Sequence, residues 1–118
     1  TEAGDARRRL FHRRVLEVLE AAKASAAVLA HHALAAGLPQ VAFSNSLAAG
    51  REALRISAVS EAIIHFEHAL QLVWGKTLPE MPDKADLQDL YTQLGQTYEL
   101  VGQIENALAV NAERDKLS

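Results

Sequence analysis

The chain contains no cysteine, which excludes disulfides, thiol nucleophiles and thiolate metal sites and fits a cytoplasmic location. Aromatic residues make up only 5% of its 118 residues, too few for a row of stacking platforms for single-stranded nucleic acid. Proline occurs three times, at 39, 79 and 82, so long stretches are free to be helical. No apolar run reaches the roughly 18–20 residues that span a bilayer. The Arg-rich N-terminus lacks the apolar core of a signal peptide. A net charge of −3 and a pI near 5.9 give no global pull towards nucleic acid or an anionic membrane.

What the chain has is alanine (22) and leucine (17), about a third of all residues. Both are strong helix formers, and small side chains let helices approach closely. Stretches that alternate apolar and polar residues are rare, so the expected class is all-α. Six helices can be drawn. The first spans 6–22, with Phe11, Val15, Val18 and Ala22 on one stripe and Leu16 and Leu19 beside it. The second spans 24–36 and stops at Gly37, with Pro39 beyond. The third and fourth cover 40–56 and 59–74, broken at Ser57 and ending at Gly75. A polar connection at 75–85 carries Pro79 and Pro82. Asp83 or Asp86 caps a fifth helix that runs to Val101. After Gly102-Gln103, a sixth spans 104–116, its Arg114 and Lys116 suiting the negative end of the helix. The turns are short enough to make hairpins of 6–37, 40–74 and 86–117 in a single domain. The chain starts at Thr1 without Met, and the expectation is a segment of a longer protein.

The richest stretch is 90–107, where Leu94, Gly95, Tyr98, Gly102 and Ala107 fall where two tightly packed antiparallel helices need them. Taking Gln88 as the start of a repeat puts Gly95 at position 8 and Ala107 at position 20. Stepping back 45 residues gives Gly50, in a repeat starting at Phe43 with Ala62, Phe66 and Ala69 at positions 20, 24 and 27. A further 34 back, a degenerate unit starting at Arg9 has Leu16 where Gly belongs, then Val28, His32 and Ala35. Asn111 and Arg114 depart from the aromatic and Ala usual in the third unit.

This spacing resembles the tetratricopeptide repeat, a helix–turn–helix unit that stacks into a right-handed α-solenoid. The fold expected from the resemblance is three antiparallel helix pairs. The runs 29–37, 48–54 (Ala48, Gly50, Arg51, Glu52, Leu54) and 60–70 (Glu61, Ala62, Phe66, Glu67, His68) are also similar to the helical region of bacterial multidomain ATPase regulators. That group includes large ATP-binding transcription regulators of the LuxR/MalT type and cyclase- or kinase-fused relatives. The opening 10–16 resembles the helix that follows their ATPase module, and Leu78-Pro79 opens a comparable linker. The resemblance implies a non-catalytic scaffold between an ATPase and an output domain. No Gly-rich Lys-Ser/Thr loop is present to carry nucleotide binding over, and no cofactor is expected.

The concave side of such a solenoid would be lined by Arg13 and Glu17, then Ser44, Leu47, Arg51 and Arg55, then Asp89, Thr92, Gln96 and Glu99. This groove is basic in the middle and acidic in the last unit, suited to a protein or peptide of alternating charge or to a neighbouring domain of the same chain. A clamp for acidic C-terminal peptides is rejected, because Glu17 and Ala48 stand where that clamp uses Asn. Arg7, Arg8, Arg9, Arg13 and Arg14 are either a solvated helix flank, with Arg13 opposite Glu17, or a docking patch. Nucleic acid is disfavoured.

Among the five histidines, His65 and His68 are three apart, and His31-His32 lie on another helix. Adjacent positions point about 100° apart, and no Cys or arranged carboxylate completes a metal set. The expectation is packing and surface histidines, with His32 in the core. Trp74 is expected to anchor the linker, or else to meet a partner. No nucleophile elbow or spaced carboxylate pair suggests catalysis, and Glu61, Glu67 and Glu105 read as solvated. Alternatives to the regulatory scaffold are a stand-alone adaptor holding a peptide and a metal-binding helical enzyme domain. Exposed end helices make a homodimer a further expectation.

Overall fold

The structure is a computed structural model that describes residues 2–117. The described residues form six α-helices and no strand: α1 (Glu2–Ala21), α2 (Ala26–Ala35), α3 (Pro39–Arg55), α4 (Val59–Trp74), α5 (Lys84–Leu100) and α6 (Ile104–Lys116). Packing runs along the chain, each helix lying mainly against its sequence neighbours. The molecule is elongated, 43 × 29 × 24 Å with a radius of gyration of 15.1 Å. A compact chain of this length would have about 13.5 Å.

One device ends five of the helices. Lys23, Gly37, Ser57, Lys76 and Gly102 all take positive φ, between 55° and 80°. The amide that follows each reaches back five residues to a carbonyl of the last turn: Ala24 N to Leu19 O at 2.9 Å, Leu38 N to Ala33 O at 2.9 Å, Ala58 N to Ala53 O at 2.7 Å, Thr77 N to Leu72 O at 3.3 Å and Gln103 N to Tyr98 O at 2.8 Å. This is the Schellman arrangement, which satisfies carbonyls a helix end would otherwise leave bare. The three-residue turns at 36–38, 56–58 and 101–103 then force antiparallel neighbours. Gly75, the expected stop of α4, has φ −78° and is right-handed; the left-handed residue is Lys76, one later. At the start of α2, Ser25 Oγ accepts from Val28 N at 3.3 Å. Asp83 occupies the cap position of α5 without a side-chain bond.

The core is built from small residues against large ones. Gly50, Ala62, Gly95 and Ala107 are all buried. A Cβ on Gly50 would overlap the Phe66 ring of α4, and Phe66 is fully buried. The bare Gly50 backbone is therefore what admits the ring between α3 and α4. At the same place 45 residues later, a Cβ on Gly95 would meet Asn111 Oδ1 at 2.5 Å and Val110 Cγ2 at 3.5 Å. There a polar side chain, not an aromatic ring, covers the glycine.

The first unit differs from expectation. Of the stripe Phe11–Val15–Val18–Ala22 only Val15 is half-buried, and the other three are exposed. Phe11 (62% exposed) and Val18 (68%) point to solvent, while Leu16 is buried and Leu19 half-buried. Two apolar stripes compete on this helix, and the one carrying His12, Leu16 and Leu19 meets α2. On α2 the buried positions are Ala30 and Ala33, with Ala36 buried at its C-cap, whereas Val28 is exposed. His32 is half-buried at an edge, not in the core.

Candidate partner-binding surfaces

The expected groove residues fall on α1, α3 and α5. Ser44, Arg51, Arg55, Gln96 and Glu99 are exposed, and Asp89 and Thr92 half-buried. Leu47 is 2% exposed and belongs to the core, so it offers nothing to a partner. Its neighbours on α3 explain this: Phe43, Leu47 and Gly50 make one apolar stripe at helical spacing. Arg51 and Asp89 form an ion pair, with Arg51 Nε 2.7 Å from Asp89 Oδ2. The pair joins α3 to α5 across this face, bringing the basic middle and acidic end together. Arg55 pairs with Glu52 on its own helix, which holds the Glu52 carboxyl below its usual range, chiefly through the hydrogen bond. Arg13 and Glu17 are exposed on α1. The expected pair between them is absent, and neither bonds to α3 among the described residues.

The junction of α4 and α5 is tied by aromatic residues. Trp74 Nε1 donates to Tyr91 Oη at 3.1 Å, so Trp74, though 47% exposed, ties the end of α4 to α5. Tyr98 Oη donates to Glu67 Oε2 at 2.6 Å. Burial, then this bond, raises the phenol well above its ordinary value. Glu67 is accordingly half-buried and bridges two helices, where solvation had been expected. The linker is pinned by Gln40 Nε2 donating to Glu80 O at 2.9 Å, beside a cavity of about 180 Å³ that Ser44, Phe43 and Met81 help to line.

The histidines separate into two groups. His12 Nδ1 and His32 Nδ1 lie 3.1 Å apart, so one ring donates an N–H and the other, neutral at that nitrogen, accepts it. Desolvation first, then His31 and His12, lower the His32 value. His65 is lowered by desolvation and by His68, against an opposing pull from Glu61. No group of three or more His, Asp or Glu side chains is arranged to hold a metal among the described residues. Arg8 and Arg9 border a shallow hollow with Asp5, Leu34 and Gly37. Arg7, Arg13 and Arg14 are exposed on α1.

Where α2 and α4 flank α3, alanines leave an unfilled trough of about 430 Å³, walled by Ala27, Ala30 and Leu34 of α2 and by His65, His68 and Leu72 of α4. A second cavity of about 520 Å³ continues it, sharing Ala27 and His65. Short side chains predict close approach, but not where two helices fail to close. No helix among the described residues is long and apolar enough to cross a membrane. No protein-family model, curated protein or solved structure matches the chain.

Proposed function

We propose that the chain is a non-catalytic protein-interaction module, three stacked helical hairpins of the tetratricopeptide type. It serves as a regulatory scaffold within a bacterial signalling or transcription-regulatory ATPase. The observation that carries the reading is the repeated interlock: Gly50 and Ala62 in one hairpin, Gly95 and Ala107 in the next, buried at matching positions. Packing between sequence neighbours and an elongated shape support an open array. In such an array α3 and α5 offer a face where Arg55, Gln96 and Glu99 are exposed and the Arg51–Asp89 pair sits between them. A protein segment with both charges can exchange with that pair at little cost, because an exposed ion pair contributes at most about 1 kcal/mol. Binding there would bias contacts with a neighbouring ATPase domain, which requires two states of the parent protein. The test is removal of residues 2–117 from the parent, and separately Arg51→Glu with Arg55→Glu, with ATP hydrolysis and output measured. Altered regulation in both supports the reading; unchanged regulation in both refutes it.

A further inference from the structure

The trough between α2 and α4 has three properties that go together. Its floor and walls are apolar, set by Ala30, Leu34, Ala42 and Leu72. Its volume of about 430 Å³ equals about fourteen water-sized volumes of roughly 30 Å³, the size of a medium-length aliphatic chain with a head group. Its ionisable lining consists of three imidazoles, His31, His65 and His68, with no Asp, Glu, Lys or Arg. The only charge this lining can acquire is positive.

Ser46 supplies an independent sign of an occupant. It is 3% exposed and lines the trough, yet it makes no hydrogen bond among the described residues. Every sealed side-chain oxygen and nitrogen has a partner, so the Ser46 hydroxyl keeps its open side towards the trough. Because it opens on the trough, it is free to bond an oxygen of an occupant there. By contrast Thr97, equally buried, donates to Gln93 O at 2.6 Å.

We propose that this trough binds a medium-chain carboxylate, its aliphatic chain on the alanine floor and its carboxylate held by His31, His65 and His68. The adjoining cavity carries Glu52 and Glu61 beside His65, so the anionic head belongs on the trough side of His65, towards His31 and His68. The groups facing His65 are then His31 from α2, Glu52 from α3, and Glu61 and His68 from α4 itself. His65 is lowered by desolvation and by His68, so it gains charge, and holds the carboxylate more strongly, as pH falls below the ordinary imidazole range. This inference is independent of the scaffold reading, since the trough lies on α2 and α4 and not on the α3–α5 face.

The experiment is calorimetric titration of the protein with octanoate, decanoate and decanol at about pH 5.5 and about pH 8. Decanoate is expected to bind roughly tenfold tighter than octanoate, from two further buried CH₂ groups. It should weaken several-fold at the higher pH, and at the lower pH it should exceed decanol several-fold. Ala27→Leu fills the wall shared by both cavities and should abolish binding, its fold being checked by helical circular dichroism. His68→Gln, at an exposed position, leaves the core untouched; it should weaken decanoate at low pH and leave decanol unchanged. No binding, equal affinity for decanol and decanoate, or undiminished decanoate binding by His68→Gln would overturn the proposal.

Discussion

Replacing Gly50 by alanine opposes two effects whose sizes are known. Alanine is a better helix former than glycine by about 1 kcal/mol, and Gly50 lies within α3, so propensity alone predicts stabilisation. The new Cβ, however, would overlap three carbons of the Phe66 ring. That ring is fully buried and cannot swing aside, so α3 and α4 must part. Overpacking of this kind costs typically 1–3 kcal/mol and sometimes more. The net expectation is destabilisation by up to about 2 kcal/mol, a readable fraction of a stability of about 5–15 kcal/mol. Gly95→Ala provides the internal control. There the nearest obstacle is Asn111 Oδ1, the tip of a half-buried side chain held by only a 3.4 Å bond to Glu99. Rotating it away costs little, so this variant should be neutral or more stable by up to about 1 kcal/mol. Urea unfolding followed by helical circular dichroism measures both, and equal slopes would license the comparison. Pairing Gly50→Ala with Phe66→Leu should cost less than the sum of the two single changes. A Gly50→Ala protein as stable as Gly95→Ala would refute the interlock.

Other outcomes follow from the helix ends and the titrating groups. Ser57→Gly and Lys76→Gly remove left-handed strain from exposed residues and should each raise stability by about 0.5–1.5 kcal/mol, while Gly102→Ala should lower it by about 1 kcal/mol; urea midpoints check all three. The Tyr98 phenol is raised on folding, so the unfolded chain loses that proton first, and stability should hold below about pH 10 and fall as pH rises beyond it. Tyr98→Phe should remove that alkaline loss, read as urea midpoints against pH. His32 is lowered on folding, so the contact with His12 is favoured above about pH 6.5 and lost as pH falls through the lower folded value. Amide hydrogen exchange in α1 should speed up relative to α3 over that interval, and His32→Gln should abolish the difference.

Helix positions were largely legible because glycine, proline and three-residue turns punctuate strong helix formers. The ends of α2, α3, α4 and α6 lie within two residues of expectation. The packed face of α1 was not, because Phe11 and Val18 form an apolar stripe as convincing as that of Leu16 and Leu19. Deciding between them needs the partner helix, whose alanines lie in a register shifted from the repeat frame. On α3 the groove assignment failed at Leu47, where repeat position and apolar periodicity disagreed and periodicity prevailed. The Glu67–Tyr98 and Trp74–Tyr91 bonds span 31 and 17 residues and leave no local trace. Nor does the trough, which exists because residues on three helices are all too short to fill it.

An open stack of hairpins and a closed six-helix bundle differ in which helices touch. Proton–proton NOEs in isotope-labelled protein distinguish them. An open stack requires contacts from the Phe66 ring to Gly50 Hα, and from Trp74 to Tyr91, with none between α1 and α6. NOEs joining Phe11 or Val18 of α1 to Leu108 of α6 within one molecule, or a Phe66 ring with no contact to Gly50, would contradict the stacked architecture.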